Sequence, residues 1–117
     1  MTFQENIPIY VQISNDIKEQ IISGKLCEGD KLNSIREYSV MYEVTALTVQ
    51  RAMGLLESED IVETRKGVGS FVKPGVGEIL KNKMVAQLVR EFIARAANMG
   101  ISDNEILAMV KEGLENA

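Results

Sequence analysis

The chain has no histidine and a single cysteine, Cys27. One thiol closes no intramolecular disulfide, and one thiol without imidazole offers no familiar ligand set for a metal. The missing histidine also removes the commonest general base and the usual activator of a serine or cysteine nucleophile. No pair of carboxylates is spaced to replace it, which points to a protein that is not an enzyme and needs no cofactor. No apolar run approaches the ~20 residues that cross a bilayer, and the first residues, polar at Gln4, Glu5 and Asn6, hold no signal-peptide core. A cytoplasmic protein with no membrane contact is expected, and Cys27 is read as a buried or half-buried thiol. An excess of positive charge is lacking too: the formal net charge is −4. Most nucleic-acid-binding domains are basic, so any DNA face here must be a local patch.

The 117 residues, 45% of them hydrophobic and 26% charged, fit one compact domain, or one small domain with an appendage. Pro8 suits the start of a helix, and Tyr10, Ile13, Ile17 and Ile21 recur at helical spacing up to Gly24. The first helix is therefore placed from about Pro8 to Ser23. Lys25 to Leu32 reads as a short extended spacer around a Glu-Gly-Asp turn. Ser34 and Glu37 form a capping-box pattern that opens a second helix at Ile35, with Ile35, Tyr38, Met41 and Tyr42 as its apolar stripe. Thr45 is a second N-cap, and Val44 with Val49 has the spacing of a hydrophobic staple. In the third helix Val49, Ala52, Met53 and Leu56 share one face, while Ala46, Leu47, Gln50, Arg51 and Gly54 lie on or near the other.

Two β-type runs, residues 61–64 and 70–73, flank Arg65-Lys66-Gly67-Val68-Gly69 and predict a hairpin with a basic tip. Pro74, Gly75 and Gly77 break the pattern. Val85, Leu88, Val89, Phe92, Ile93 and Ala96 then trace a broad helical stripe, and a second capping pattern, Ser102 to Glu105, opens a last helix with Ile106, Leu107, Val110 and Leu114 on its apolar side. The expected fold class is α+β, mainly α: a winged helix-turn-helix over residues 1–75 and a C-terminal two-helix extension over 76–117.

Pro8-Ile9-Tyr10-x-Gln12-Ile13, Ile22-x-Gly24-x-Leu26, Gly29-Asp30-x-Leu32-x-Ser34-x-Arg36-Glu37, Thr48-Val49-x-x-Ala52 and Gly67-x-Gly69-Ser70-Phe71-Val72 together resemble the N-terminal domain of the GntR family of bacterial transcription regulators. The tail resembles the family's short YtrA-like branch, which has about two helices in place of a large effector-binding domain. The resemblance implies a repressor-type homodimer on a palindromic operator of double-stranded DNA. It also implies that Arg36 contacts DNA from the start of the second helix, that Thr48 is a polar position at the groove, and that Lys66 and Gly67 form the wing tip. The chain departs from the family pattern at Ala46 and Gln50, where arginines are usual, and at Glu43, where the tight turn usually has glycine.

The expected DNA face comprises Ser34, Arg36, Thr45, Ala46, Leu47, Thr48, Gln50, Arg51, Arg65, Lys66 and Gly67. Gln50 pairs well with adenine, and Ala46 and Leu47 suit a thymine methyl, so an A·T-rich half-site is expected. Lys18 and Lys73 read as solvated charges. Tyr10, Tyr38 and Tyr42 read as core. The expected subunit contact comprises Val85, Leu88, Val89, Phe92, Ile93, Ile106, Leu107 and Val110. The residues after Gly75 are too few to enclose a small-molecule cavity within one subunit, so an effector is expected to sit at the dimer interface or to be absent. The acidic balance leaves one alternative open, a winged-helix protein-interaction module that no longer binds DNA.

Overall fold

In the computed structural model, which describes residues 1–117, Pro8 stands at the N-cap of α1 (Ile9–Ile22), with φ −54° and ψ 138°. Its ring presets the entry of the chain, and its missing N–H would have found no partner there. Ile13, Ile17 and Ile21 are buried along one face. Gln12 is buried as well and secures the preceding segment, donating to the carbonyls of Gln4 and Ile7 and accepting from the Gln4 N–H. Gly24, at φ +86°, ends the first helical segment.

The capping box forms at the head of α2 (Ile35–Tyr42): Ser34 Oγ accepts from the Glu37 N–H at 3.1 Å, and Glu37 Oε1 accepts from the Ser34 N–H at 2.9 Å. Of its expected stripe only Tyr38 and Tyr42 turn inward; Ile35 and Met41 are exposed. Those two lie about 60° to either side of Tyr38 on the helix, and α2 packs along the narrow strip between them. The Tyr42 hydroxyl donates to Asp16 Oδ2 at 2.6 Å and Gln20 Nε2 donates to the same oxygen at 3.1 Å, which ties α2 to α1. Burial, and then the Asp16 carboxylate, raise the Tyr42 phenol above its ordinary value.

The tight turn between α2 and α3 (Ala46–Ser58) places Glu43 in the left-handed region, φ 55° and ψ 49°. That conformation costs an L-residue about 1–2 kcal/mol, and glycine loses about 0.5–1 kcal/mol of that advantage through its freer unfolded chain. Glu43→Gly is expected to stabilise the fold by about 0.5–1 kcal/mol, read as a raised midpoint in thermal or urea denaturation; a lowered midpoint would contradict this account of the turn.

Val49, Ala52, Met53 and Leu56 are the buried face of α3, as their spacing requires. The hairpin that follows pairs β1 (Val62–Arg65) with β2 (Gly69–Val72), antiparallel, from Val62↔Val72 to Arg65↔Gly69. Arg65 and Gly69 thus form the last rung and do not belong to the loop, and the tip is reduced to residues 66–68. The segment read as a spacer is also more than that. Leu32 N–H donates to the Ser70 carbonyl at 2.8 Å, Val72 N–H donates to the Asp30 carbonyl at 2.9 Å, and Lys31 bridges to Phe71. Cys27 is exposed, not buried, because it sits on the turn leading into this segment, where the Asp30 carboxylate accepts from its N–H.

The chain divides into two compact units, Met1–Lys81 and Asn82–Ala117. Gly77 does not break the chain: Gly75, at φ +77°, makes the turn, and α4 runs unbroken over Val76–Asn98. The first residues of α4 belong to the N-terminal unit because Leu80 is buried there. In the C-terminal unit the chain turns at Gly100, φ +79°, and enters α5 (Asp103–Glu115). Ser102 Oγ accepts from the Glu105 N–H at 3.3 Å, but the Glu105 carboxylate meets that hydroxyl and not the backbone N–H, so this capping box is half formed. Ala96 and Ile106 are the buried residues of this unit.

Candidate nucleic-acid interface

Two helix heads and the hairpin carry the expected DNA-facing side chains. Ser34 caps α2, and two residues later Arg36 is exposed and joined to no carboxylate. Thr45 caps α3 through its hydroxyl, which lies 3.1 Å from the hydroxyl of Thr48, so two polar groups stand side by side at the end of the helix. Thr48 is half-buried. Ala46, Leu47, Gln50, Arg51 and Gly54 are all exposed, opposite the buried stripe of the same helix. The Thr45 hydroxyl accepts from one of α3's free N–H groups, that of Thr48, and leaves the remaining first-turn N–H groups available, the usual arrangement for meeting a phosphate.

On the hairpin, Lys66 and Gly67 occupy the tip, Gly67 at φ +77°, and Val68 N–H closes the turn on the Arg65 carbonyl at 3.0 Å. The Arg65 guanidinium lies 4.4 Å above the centre of the Phe71 ring, which holds the arginine on the face of the strand. Thr64 bonds both Ser70 across the hairpin and Glu57 on α3, so the wing is fastened to the helix it flanks.

Charge is partitioned within this unit. Residues 1–75 contain eight Lys or Arg and eleven Asp or Glu. Lys18 is not a solvated charge: it is buried and pairs with Glu59 at 2.5 Å, while Lys73 pairs with Asp60 at 3.2 Å. Both acidic partners close the C-terminal end of α3, so two cations are neutralised there. Lys25, Lys31, Arg36, Arg51, Arg65 and Lys66 stay free of ion pairs. The thirteen residues of α3 separate its acidic end from its capped head by about 20 Å. That exceeds the ~8 Å screening length at physiological salt, so the potential at the head is set by the charges near it, the free cations together with Glu37 and Glu43, and not by the paired Glu59 and Asp60.

Within the C-terminal unit Val85, Leu88, Val89, Phe92, Ile93, Leu107 and Val110 are all exposed. Ile106 differs from them in being buried in the single chain.

A capped helix with an exposed, weakly charged outer face, preceded by a tight turn and flanked by a basic hairpin, defines a winged helix-turn-helix DNA-binding protein. Residues 9–72 match the family described as bacterial regulatory proteins, gntR family. The chain is 34% identical to the uncharacterized HTH-type transcriptional regulator YhcF of Bacillus subtilis, over 93% of this chain and 92% of that one. It is 30% identical to the HTH-type transcriptional repressor YtrA of the same organism, over 93% of this chain and 86% of that one. Among solved structures, a GntR family transcriptional regulator from Listeria monocytogenes superposes with a TM-score of 0.87 at 37% identity, covering 94% of this chain and 98% of that one. AraR(DBD) in complex with operator ORX1 superposes with a TM-score of 0.57 at 28% identity, covering 61% of this chain and 92% of that one. The chain belongs to the GntR family, as a YtrA-like DNA-binding transcription regulator. None of its helices is long and apolar enough to cross a membrane.

Proposed function

We propose that the protein is a homodimeric repressor that occupies a palindromic, A·T-rich operator, its two copies of α3 entering successive major grooves with the wings alongside. The observation that carries the reading is the row of exposed apolar side chains in the C-terminal unit, from Val85 to Ile93 on α4 and at Leu107 and Val110 on α5. Contiguous apolar surface of this kind marks an interaction site, and a two-fold contact would cover it with its own copy. Repression is supported by the naming of the relative YtrA as a repressor. Operator binding is supported by the AraR complex. An interaction module without DNA binding fits less well, because the cations free of ion pairs include Arg36, Arg51, Arg65 and Lys66 on these same elements.

The outer face of α3 sets the expected sequence. Gln50 reads adenine with two hydrogen bonds, Ala46 and Leu47 suit thymine methyls, and no arginine occupies the first turn to read guanine. Selection of binding sites from random duplexes by the full chain is expected to return two inverted A·T-rich half-sites about one helical turn apart. Isolated half-sites would contradict the dimer, and G-rich half-sites would contradict the reading of α3.

A further inference from the structure

Lys31 joins the wing from outside it. Its bridge to Phe71, with the flanking hydrogen bonds from Leu32 to Ser70 and from Val72 to Asp30, lays residues 30–32 beside β2 as a one-rung third strand. Residues paired across an antiparallel ladder share a sheet face, and every second residue returns to it. Lys31 therefore shares a face with Phe71 and Gly69, and through the register with Glu63 and Arg65. The Arg65 guanidinium covers the Phe71 ring on that face.

Gly69 is the gap in this face. A methyl carbon there would lie 2.6 Å from Cε and 3.5 Å from Nζ of Lys31, so the lysine stem occupies the room a side chain would need. The φ of +143° at Gly69 separately disfavours any L-residue. Lys31 is exposed and, although Glu63 shares its face, forms no ion pair. Its field extends to the head of α2: the Glu37 carboxyl is held below its ordinary value by the Ser34 backbone N–H foremost, and Lys31 adds to that.

We propose that Lys31 is a phosphate-contacting residue of the DNA interface, laid across the side-chain-free position at Gly69 so that its ammonium stands between the wing and the head of α2. The proposal rests on the DNA-binding role of that face. A cation shared between two DNA-contacting elements neutralises a backbone phosphate whatever the base sequence, so its signature is the salt dependence of binding.

The full chain titrated with a fluorescent mixed-sequence duplex across a series of salt concentrations reads this directly. Lys31→Gln is expected to make the log–log salt slope shallower by about one unit for each subunit bound and to weaken binding about fivefold per contact at physiological salt, the counterion-release value for one phosphate. Lys31→Arg is expected to keep the wild-type slope. Gly69→Ala, which pushes the lysine aside, is expected to reproduce the loss, and adding Lys31→Gln to it to cost little more. Lys31→Gln with an unchanged slope, in a protein whose Arg36→Ala variant does lose slope, overturns the role of Lys31 alone. Wild-type protein that shows no salt-dependent binding overturns the DNA face together with it.

Discussion

The double variant Leu88→Glu, Phe92→Glu is expected to sediment and elute as a monomer and to bind a two-half-site operator about 10²–10⁴-fold more weakly than the wild type. The two residues are four apart on α4, so they project from one side of the helix, and both are exposed in the single chain. Two carboxylates placed in a contact that excludes water lose their hydration and gain no partner, which is enough to open an interface held by apolar burial. The winged unit should keep its own fold, because its core, built on Ile13, Ile17, Tyr38, Val49 and Leu56, lies in Met1–Lys81 and contains neither residue. A monomer then retains the affinity of one half-site and loses the second, effectively intramolecular, binding step. Light scattering after size exclusion, with unchanged helical circular dichroism, checks the first part, and fluorescence anisotropy the second. A double variant that remains dimeric would show that the stripe from Val85 to Ile93 is not the subunit contact.

Arg36→Ala is expected to weaken operator binding by about thirtyfold or more, since losing an Arg contact costs about 1–3 kcal/mol and a two-fold complex loses it twice. Arg36 stands two residues past the N-cap of α2, exposed and without an acidic partner, so the capping box sets its position while its charge stays free. Lys18→Gln is the informative contrast. Lys18 is buried against Glu59, so its removal should leave binding largely intact and lower the melting temperature, because one partner of a partly desolvated pair is left behind. Equal binding by Arg36→Ala and wild type, in matched salt, would remove the head of α2 from the interface.

Much of this fold was legible because its signals are local. Ser34 with Glu37, and Thr45 ahead of Val49, mark helix starts through hydrogen bonds that span three residues, and both caps form as written. The spacing of Val49, Ala52, Met53 and Leu56 identifies the buried face of α3 for the same reason, since a helix reports its own period. The errors fall where a distant residue decides. Met41 has the right spacing for the core of α2, yet it is exposed, and the contact at its sulfur is the Asn33 side-chain amide at 3.2 Å, not a core residue. Lys18 has the composition of a surface charge, and its acidic partner lies 41 residues away in the chain.

The chain's local chemistry thus determined the order of elements, the caps, the inward face of each long helix of the winged unit and the family to which the protein belongs. Tertiary structure alone decided which cations stay free for DNA, how Arg65 rests on Phe71, and that Lys31 crosses the wing at Gly69. Caps and helical periods depend on neighbours within one or two turns, whereas the fate of a charge depends on whichever carboxylate, ring or open backbone the fold brings beside it.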